Sequence, residues 1–371
     1  MPRKKSEVRG QRSGVSRRGK RRRVEEEKGS GSNSASPFSR APVASSSPSV
    51  STRRPSSKRP SSKSDVSFGA FSVVIVGAGR LGSALARALA GCGYEVRALV
   101  ARGDASARRA VSRAGVKAKA FGVARLGELP PSDVLLISTP DDAIGETAHR
   151  ITMLPDARAR VALHTSGALS SDVLAPMRER GYAVGSMHPL AAVSDAEAGA
   201  ESLRRAFYCV EGDARAVRAA RRIVRDLGGQ SFSIRARDKA LYHAAALITA
   251  GHTVALFDTA ASLLARCGLS EREARRVLLP LLASTLENLS RSTPEQALTG
   301  TFARGDAATV RKHLAALVEA GDPEALLVYA LLGARSLRLA ARRGVADAST
   351  LKEIARLLAS VMEARERTAK L

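Results

Sequence analysis

The chain has 371 residues, enough for two domains with a sizeable core, and a formal net charge of +25 from 60 Lys and Arg against 35 Asp and Glu. With 4% aromatic residues and no tryptophan, that core has to be built mainly from Ala, Leu and Val. Cys92, Cys209 and Cys267 lie far apart in apolar contexts, which excludes a zinc-ligand spacing and reads as buried free thiols of a reducing compartment. No unbroken apolar run reaches the ~20 residues of a membrane span and no apolar signal-peptide region follows the basic N-terminus, so the expected location is cytoplasmic.

Residues 1–70 carry 18 Lys and Arg against 5 Asp and Glu and are rich in Ser and Pro, so residues 1–69 are expected to be a disordered basic tail. The run Lys20 to Arg23 and the series Arg53, Arg54, Lys58, Arg59 and Lys63 would give weak polyanion contact, without an aromatic platform for bases. Nothing before Val66 is needed for the fold, so a start further downstream stays open. A transit peptide is disfavoured by the acidic block Glu25 to Glu27.

The ordered chain opens on an apolar, β-branched run from Val73 to Val76, the pattern of a strand buried on both faces. Gly77-x-Gly79-x-x-Gly82 follows and starts a helix with Leu81, Leu85 and Leu89 on one side, before a second strand from Tyr94 to Val100. Gly77 permits a tight turn, Gly79 admits a pyrophosphate to the backbone, and Gly82 allows close packing of helix on strand. Together with Arg80 and Leu81 at the positive helix end, these glycines form the expected dinucleotide-binding set. A glycine-rich turn of some other α/β domain is the competing reading.

More α/β units follow. Ser106 to Ala114 reads as a basic helix, and Asp133 to Ser138 as a buried strand ending in the polar edge Thr139, Pro140, Asp141. Ligands bind at such carboxyl edges in open sheets, so these three join the cofactor set. Strands at 161–164 and 183–188 each deliver a histidine near their end, His164 and His188. Phe207 to Val210, a helix from Ala214 to Leu227 with an arginine-rich solvated face, and Ser231 to Ile234 complete a mixed sheet. From Asp238 the pattern is helical alone: one long apolar helix from Lys239 to Arg266, then Ser270 to Asn288 with a Ser270–Glu273 capping box and a kink or division at Pro280. A polar loop over 297–306 leads to helices near 309–319, 323–342 and 349–368. The fold class is therefore an α/β Rossmann domain, 70–236, followed by an all-α helical domain, 237–371. A helix as apolar as 244–265 should be buried on most sides, as a core helix or one shared in a homodimer.

The end of the second strand carries Arg102 and no acid, so a 2′-phosphate is favoured and NADP is expected over NAD. Asp104 is near enough in sequence to keep NAD open. Lys239 and His243, four residues apart, share one helical face as candidates for proton transfer or as a surface lysine and a capping histidine. His164, Ser166, His188 and His243 lack the pairing of a metal site, so no metal is expected. In the loop, Thr299 and Arg304 are candidate substrate contacts, with Arg304 a clamp for a carboxylate or phosphate or a structural partner of Asp306.

The glycine-rich unit, Ser138 to Ile144, His164-Thr-Ser-Gly-Ala-Leu169, Ser186-Met-His-Pro-Leu190, Lys239-Ala-Leu-Tyr-His-Ala-Ala-Ala246 and the 297–314 segment together resemble a known family. It is that of the Rossmann-like proteins whose C-terminal half is the domain of unknown function 2520, over about residues 70–320. That family is similar in architecture to 6-phosphogluconate dehydrogenase, ketopantoate reductase and prephenate dehydrogenase. Thr301, where proline is expected, and Gly251-His252, where asparagine is expected, depart from the pattern. The resemblance implies an NADP-binding domain and a helical substrate and dimerisation domain. It implies Lys239 as acid/base with His243 as its orienting partner. Further, it implies His188 as the group that polarises the substrate, Ser166 beside the nicotinamide, and His164 near the substrate. The expectation is an NADP-dependent oxidoreductase of a small hydroxy, keto or imino acid. A catalytically silent dinucleotide-binding sensor is the alternative.

Overall fold

The structure, a computed structural model, describes residues 71–155 and 159–368; the expected basic tail and its polyanion contact lie outside the described residues. The described chain begins with β1 (Ser72–Val76), α1 (Arg80–Gly91), β2 (Glu95–Ala101), α2 (Asp104–Ala114) and β3 (Lys119–Gly122). Then come β4 (Ser132–Ile137), α3 (Asp141–Thr152), β5 (Ala159–His164), α4 (Ala175–Glu179), β6 (Ala183–Pro189), α5 (Ala196–Leu203), β7 (Phe207–Gly212), α6 (Ala214–Asp226) and β8 (Gln230–Phe232). These strands form one sheet in the order β3-β2-β1-β4-β5-β6-β7-β8, parallel except where β6 meets β7.

Alternation along the strands splits the core into two layers. Val73, Ile75, Leu99, Leu136 and Leu163 point toward α1, α5 and α6. Val74, Val76, Val100, Leu135 and Ile137 point toward α3 and α4. Burying each such side chain contributes about 1.5–3 kcal/mol, so the continuous apolar runs of β1 and β4 are what commit them to the sheet centre. On the outer edge Tyr94 donates to Asp226 at 2.5 Å, and Arg222 lies 4.4 Å over the Phe71 ring.

The remainder is helical: α7 (Lys239–Thr249), α8 (Gly251–Arg266), α9 (Glu271–Arg291), α10 (Pro294–Ala297), α11 (Gly300–Arg304), α12 (Ala307–Glu319), α13 (Pro323–Arg343) and α14 (Ala348–Thr368). Val310, Leu314, Leu337, Ile354 and Leu358 join α12, α13 and α14 around a separate core.

Five expectations are corrected here. The single helix expected over 239–266 is broken at Ala250 (φ −99°, ψ −68°), where Gly251 lowers the cost of leaving helical geometry. Its apolar side chains are not buried within the chain: Leu241 is 76% exposed, Ile248 62% and Val254 70%. Within 236–266 an 18-residue window reaches a mean hydropathy of 1.3, enough by length and composition for a membrane span, although Lys239 near the start of the stretch is enclosed by protein. Pro280 does not divide α9; the lost N–H bond falls on an exposed face where water can take the freed carbonyl, and the capping box at Ser270 and Glu273 holds the start. The expected loop 297–306 contains the short helix α11, ended by Gly305 at φ +68°. Finally, Cys267 is exposed and Cys92 half-buried; only Cys209 is a buried thiol.

Candidate functional site

Gly77 leaves β1 with φ +103°, and its N–H and that of Ala78 both donate to the Val100 carbonyl, at 2.9 and 2.8 Å. A Cβ at Gly77 would stand 2.4–2.5 Å from the backbone of Ser138 and Thr139, and one at Gly82 would stand 2.1 Å from the Gly77 carbonyl oxygen. The backbone is thus folded on itself where the sequence carries glycine. Gly79, the N-cap of α1, has nothing within 4 Å of its Cβ direction. The N–H groups of Arg80, Leu81 and Gly82 in the first turn have no intrahelical acceptor, and this end of α1 carries no acidic residue to neutralise the dipole. Ser138 Oγ and Thr139 Oγ1, at the end of β4 beside Gly77, are buried and without hydrogen-bond partners among the described residues. Pro140 caps α3, and Asp141 is its exposed first residue.

Arg102 follows β2 directly, is exposed, and has no partner among the described residues. Asp104, the acid that kept NAD open, is engaged elsewhere: Oδ1 accepts from Gly122 N–H at 2.5 Å and pairs with Arg125 at 3.6 Å. A carboxylate tied to the end of β3 is poorly placed to take a ribose hydroxyl.

The second half of the site forms where β5, β6 and α7 meet. Ser166 Oγ donates to Asp141 Oδ2 at 2.8 Å and accepts from Ala168 and Leu169 N–H at 3.1 and 3.0 Å. Its hydroxyl is therefore fully used, and it ties α3 to the loop after β5. The Ser166 carbonyl accepts from Lys239 Nζ at 3.0 Å, and Nζ also donates to Ser186 Oγ at 2.8 Å. Lys239 is 1% exposed and has no carboxylate within ion-pair distance among the described residues. Burial pushes its pKa down, partly opposed by Cys209, Glu211 and Asp141.

His188 Nδ1 and the Tyr242 hydroxyl are 2.7 Å apart, and the His188 and His243 rings meet edge to face at 5.4 Å. Both imidazoles close over Gly167, where a Cβ would lie 2.2 Å from His243 Nδ1 and 2.8 Å from His188 Nε2. His243 Nδ1 is buried with no partner among the described residues. Burial, then the Lys239 ammonium, then His243 and His164 hold the His188 pKa at about 3, so this ring is neutral. His164 is fully buried below: Nε2 meets the Ser170 carbonyl at 3.1 Å and Nδ1 accepts from Ser166 N–H at 3.2 Å. With both nitrogens used inside its own loop, His164 shapes the floor and has no nitrogen left for a ligand. Burial, followed by Lys239, holds its pKa at about 4.

Lys239, Ser166, His188 and His243 are therefore brought together, with the glycine-rich turn linked to them through Thr139, Asp141 and Ser166. Thr299 and Arg304 are not part of this cluster. Thr299 caps α11 and Arg304 is exposed on it, where α11 packs against α12 and α13. Tyr242, Ser186 and Gly167 were not singled out by sequence reasoning. For Tyr242 a signal existed, since 239, 242 and 243 share one helical face at i, i+3 and i+4 spacing.

Residues 57–189 match a Rossmann-like domain, and residues 206–336 match the Domain of unknown function (DUF2520). Protein BF3122 from Bacteroides fragilis, assigned as an NADP oxidoreductase, is similar at 24% identity over 72% of this chain and 98% of its own, with a TM-score of 0.59. Protein TM1727 from Thermotoga maritima is 24% identical over 79% and 99% of the two chains, with a TM-score of 0.52. A 1-pyrroline-5-carboxylate reductase from Streptococcus pyogenes is 14% identical over 73% and 98%, with a TM-score of 0.50. No curated protein sequence matches the chain. These likenesses establish a shared fold.

Proposed function

The chain belongs to the proteins that join a Rossmann-like domain to a DUF2520 domain, and from that premise we propose that it is an NADP-dependent oxidoreductase acting on a small hydroxy, keto or imino acid. One observation carries the reading: the open N-terminus of α1 and the two imidazoles over Gly167 lie along one carboxyl edge, joined by the Asp141–Ser166 hydrogen bond. When bound, NADP supplies or accepts hydride at its nicotinamide. The chain's own residues fit that group. Gly79 leaves the backbone bare for a pyrophosphate, Ser138 and Thr139 hold unused hydroxyls beside it, and Arg102 stands free for a 2′-phosphate. BF3122, with its NADP oxidoreductase assignment, supports the same cofactor.

On the substrate side, His188 Nε2 and His243 Nδ1 converge beside Gly167, and these are the groups a reacting heteroatom would meet. Lys239 supplies positive charge beneath it through the Ser166 carbonyl and Ser186, and its depressed pKa suits it to proton exchange nearer neutral pH. Fluorescence titration with NADPH and NADH tests this. NADPH should bind tighter, and Arg102→Ala should weaken NADPH about tenfold, or about 1.4 kcal/mol, while leaving NADH unchanged. Binding of neither nucleotide overturns the reading, and NADPH binding with no turnover on any keto acid or imine would leave the sensor version.

The same reading includes a homodimer through the helical domain. It is supported by the unpartnered apolar side chains Leu241, Ile248 and Val254 on α7 and α8, with Val277, Leu281 and Leu286 on α9. Sedimentation should give twice the 39.0 kDa chain mass, and Ile248→Glu should shift it toward monomer. A wild-type monomer at tens of micromolar would refute the dimer.

A further inference from the structure

The proposed reaction leaves one residue of the cleft unused. Tyr242 sits one turn after Lys239, its hydroxyl 2.7 Å from His188 Nδ1, its ring edge to face with that imidazole, and Lys239 Nζ 5.8 Å from its centroid. Phe232 closes the other side of the ring at 5.8 Å, so the phenol is held by packing on both flanks. Within the described residues the hydroxyl has no partner other than His188.

Resting on the reading of His188 as substrate-facing, we propose that Tyr242 is a positioning residue that locks His188 in the tautomer carrying its hydrogen on Nε2, so that the nitrogen beside Gly167 is a hydrogen-bond donor.

The proton inventory decides the direction of the bond. A phenol is a much stronger acid than a neutral imidazole N–H, and an imidazole nitrogen is a better acceptor than a phenol oxygen. In a short contact between the two, the hydroxyl therefore donates to Nδ1. Burial supports this by keeping the phenol protonated, its pKa raised above the ordinary value, and burial, with the nearby lysine second, keeps the imidazole neutral. With Nδ1 occupied as acceptor, the one ring hydrogen lies on Nε2. That atom lies close against Gly167, 2.8 Å from where a Cβ would stand, beside the buried His243 Nδ1, which has no partner among the described residues. A partner fixing the tautomer of a functional histidine from behind is the usual way of setting which nitrogen acts.

The consequence is chemical. A neutral Nε2–H is a donor, not a base, so it recognises an atom with a lone pair. A carbonyl oxygen, and the alkoxide that develops from it, meets that requirement. A neutral imine nitrogen and a hydroxyl oxygen also present a lone pair to the donor, whereas a protonated imine brings a hydrogen of its own and would oppose it.

The test uses the full chain labelled with 15N-histidine, whose six histidines give few signals. Long-range 15N–1H correlation spectra separate protonated from unprotonated ring nitrogens, and His188→Gln assigns the relevant pair. At pH 7.5, wild-type His188 should show hydrogen on Nε2. Tyr242→Phe should convert that signal to a mixture of tautomers while changing NADPH affinity less than about twofold. A hydrogen on Nδ1 in the wild type, or an unchanged His188 spectrum in Tyr242→Phe, overturns the proposal. The wild-type arm decides the tautomer even if the variant folds poorly. The spectra need no cofactor, so absence of NADPH binding would sink the oxidoreductase reading and leave the tautomer standing.

Discussion

Lowering the pH from 7.5 to 5.0 should cost the protein up to about 4 kcal/mol of stability, with a fall of up to roughly 1 M in its urea midpoint. The source is the pair of histidines held neutral, His164 at about 4 and His188 at about 3, against about 6.5 in the unfolded chain. Between those folded values and 6.5 the unfolded chain binds protons that the folded chain refuses. Stability is therefore full above about 6.5 and is lost as pH falls through the window. At pH 5 each group lies 1.5 units inside it, equivalent to about 2 kcal/mol apiece at about 1.4 kcal/mol per unit. Because His188 is partly exposed, solvent reduces its share, so about 4 kcal/mol is an upper value. Asp133 and Asp213, whose pKa values are lowered by bonds from Ser72 and Val184, act only at lower pH, as their ordinary value is near 4. His164→Asn should remove part of the slope. Equal urea midpoints at pH 7.5 and 5.0 would show that these rings are not buried as described.

Gly77→Ala should be more damaging than any other methyl addition in the glycine-rich turn that leaves α1 itself intact. The new Cβ meets main-chain atoms of Ser138 and Thr139 at 2.4–2.5 Å, and φ of +103° is itself disfavoured for alanine. Backbone cannot rotate aside as a long side chain can, so β1 must part from the end of β4. A loss of at least about 3 kcal/mol, or an insoluble product, is expected. Gly79→Ala separates folding from function. Its φ of −73° is ordinary and its Cβ points into open space, so thermal unfolding should shift little. The added methyl stands where a pyrophosphate must approach, so NADPH affinity should fall about a hundredfold. A Gly79→Ala protein that binds NADPH normally would remove the phosphate from this turn.

Where one local pattern determined one local structure, the sequence was readable. The run Val73 to Val76 has no use except in a doubly covered strand, and the histidines at the ends of β5 and β6 follow from strand direction alone. Contacts between distant segments were not readable in this way. Nothing in the 239–243 spacing says that Tyr242, rather than His243, hydrogen-bonds to His188, because that depends on how α7 lands on β6. Asp104 looked available until the fold brought Gly122 N–H to it. Ala250 ends α7 inside a sequence with uniform helical preference, because one glycine is a weak stop signal. The residues of α7 to α9 were legible as apolar, but their exposure on the folded chain was not.

Lys239 also determines where the molecule opens first. An ammonium with no carboxylate partner is a costly group to enclose, so the seating of α7 on the loop after β5 is held less firmly than the strands beneath it. Hydrogen exchange should therefore find the amides at the start of α7 opening more readily than the amides of β1, β4 and β5. An anion settling over Gly167 would offset the lysine's charge and close that segment, so ligand binding would be recorded as slowed exchange in α7 while the sheet is unchanged.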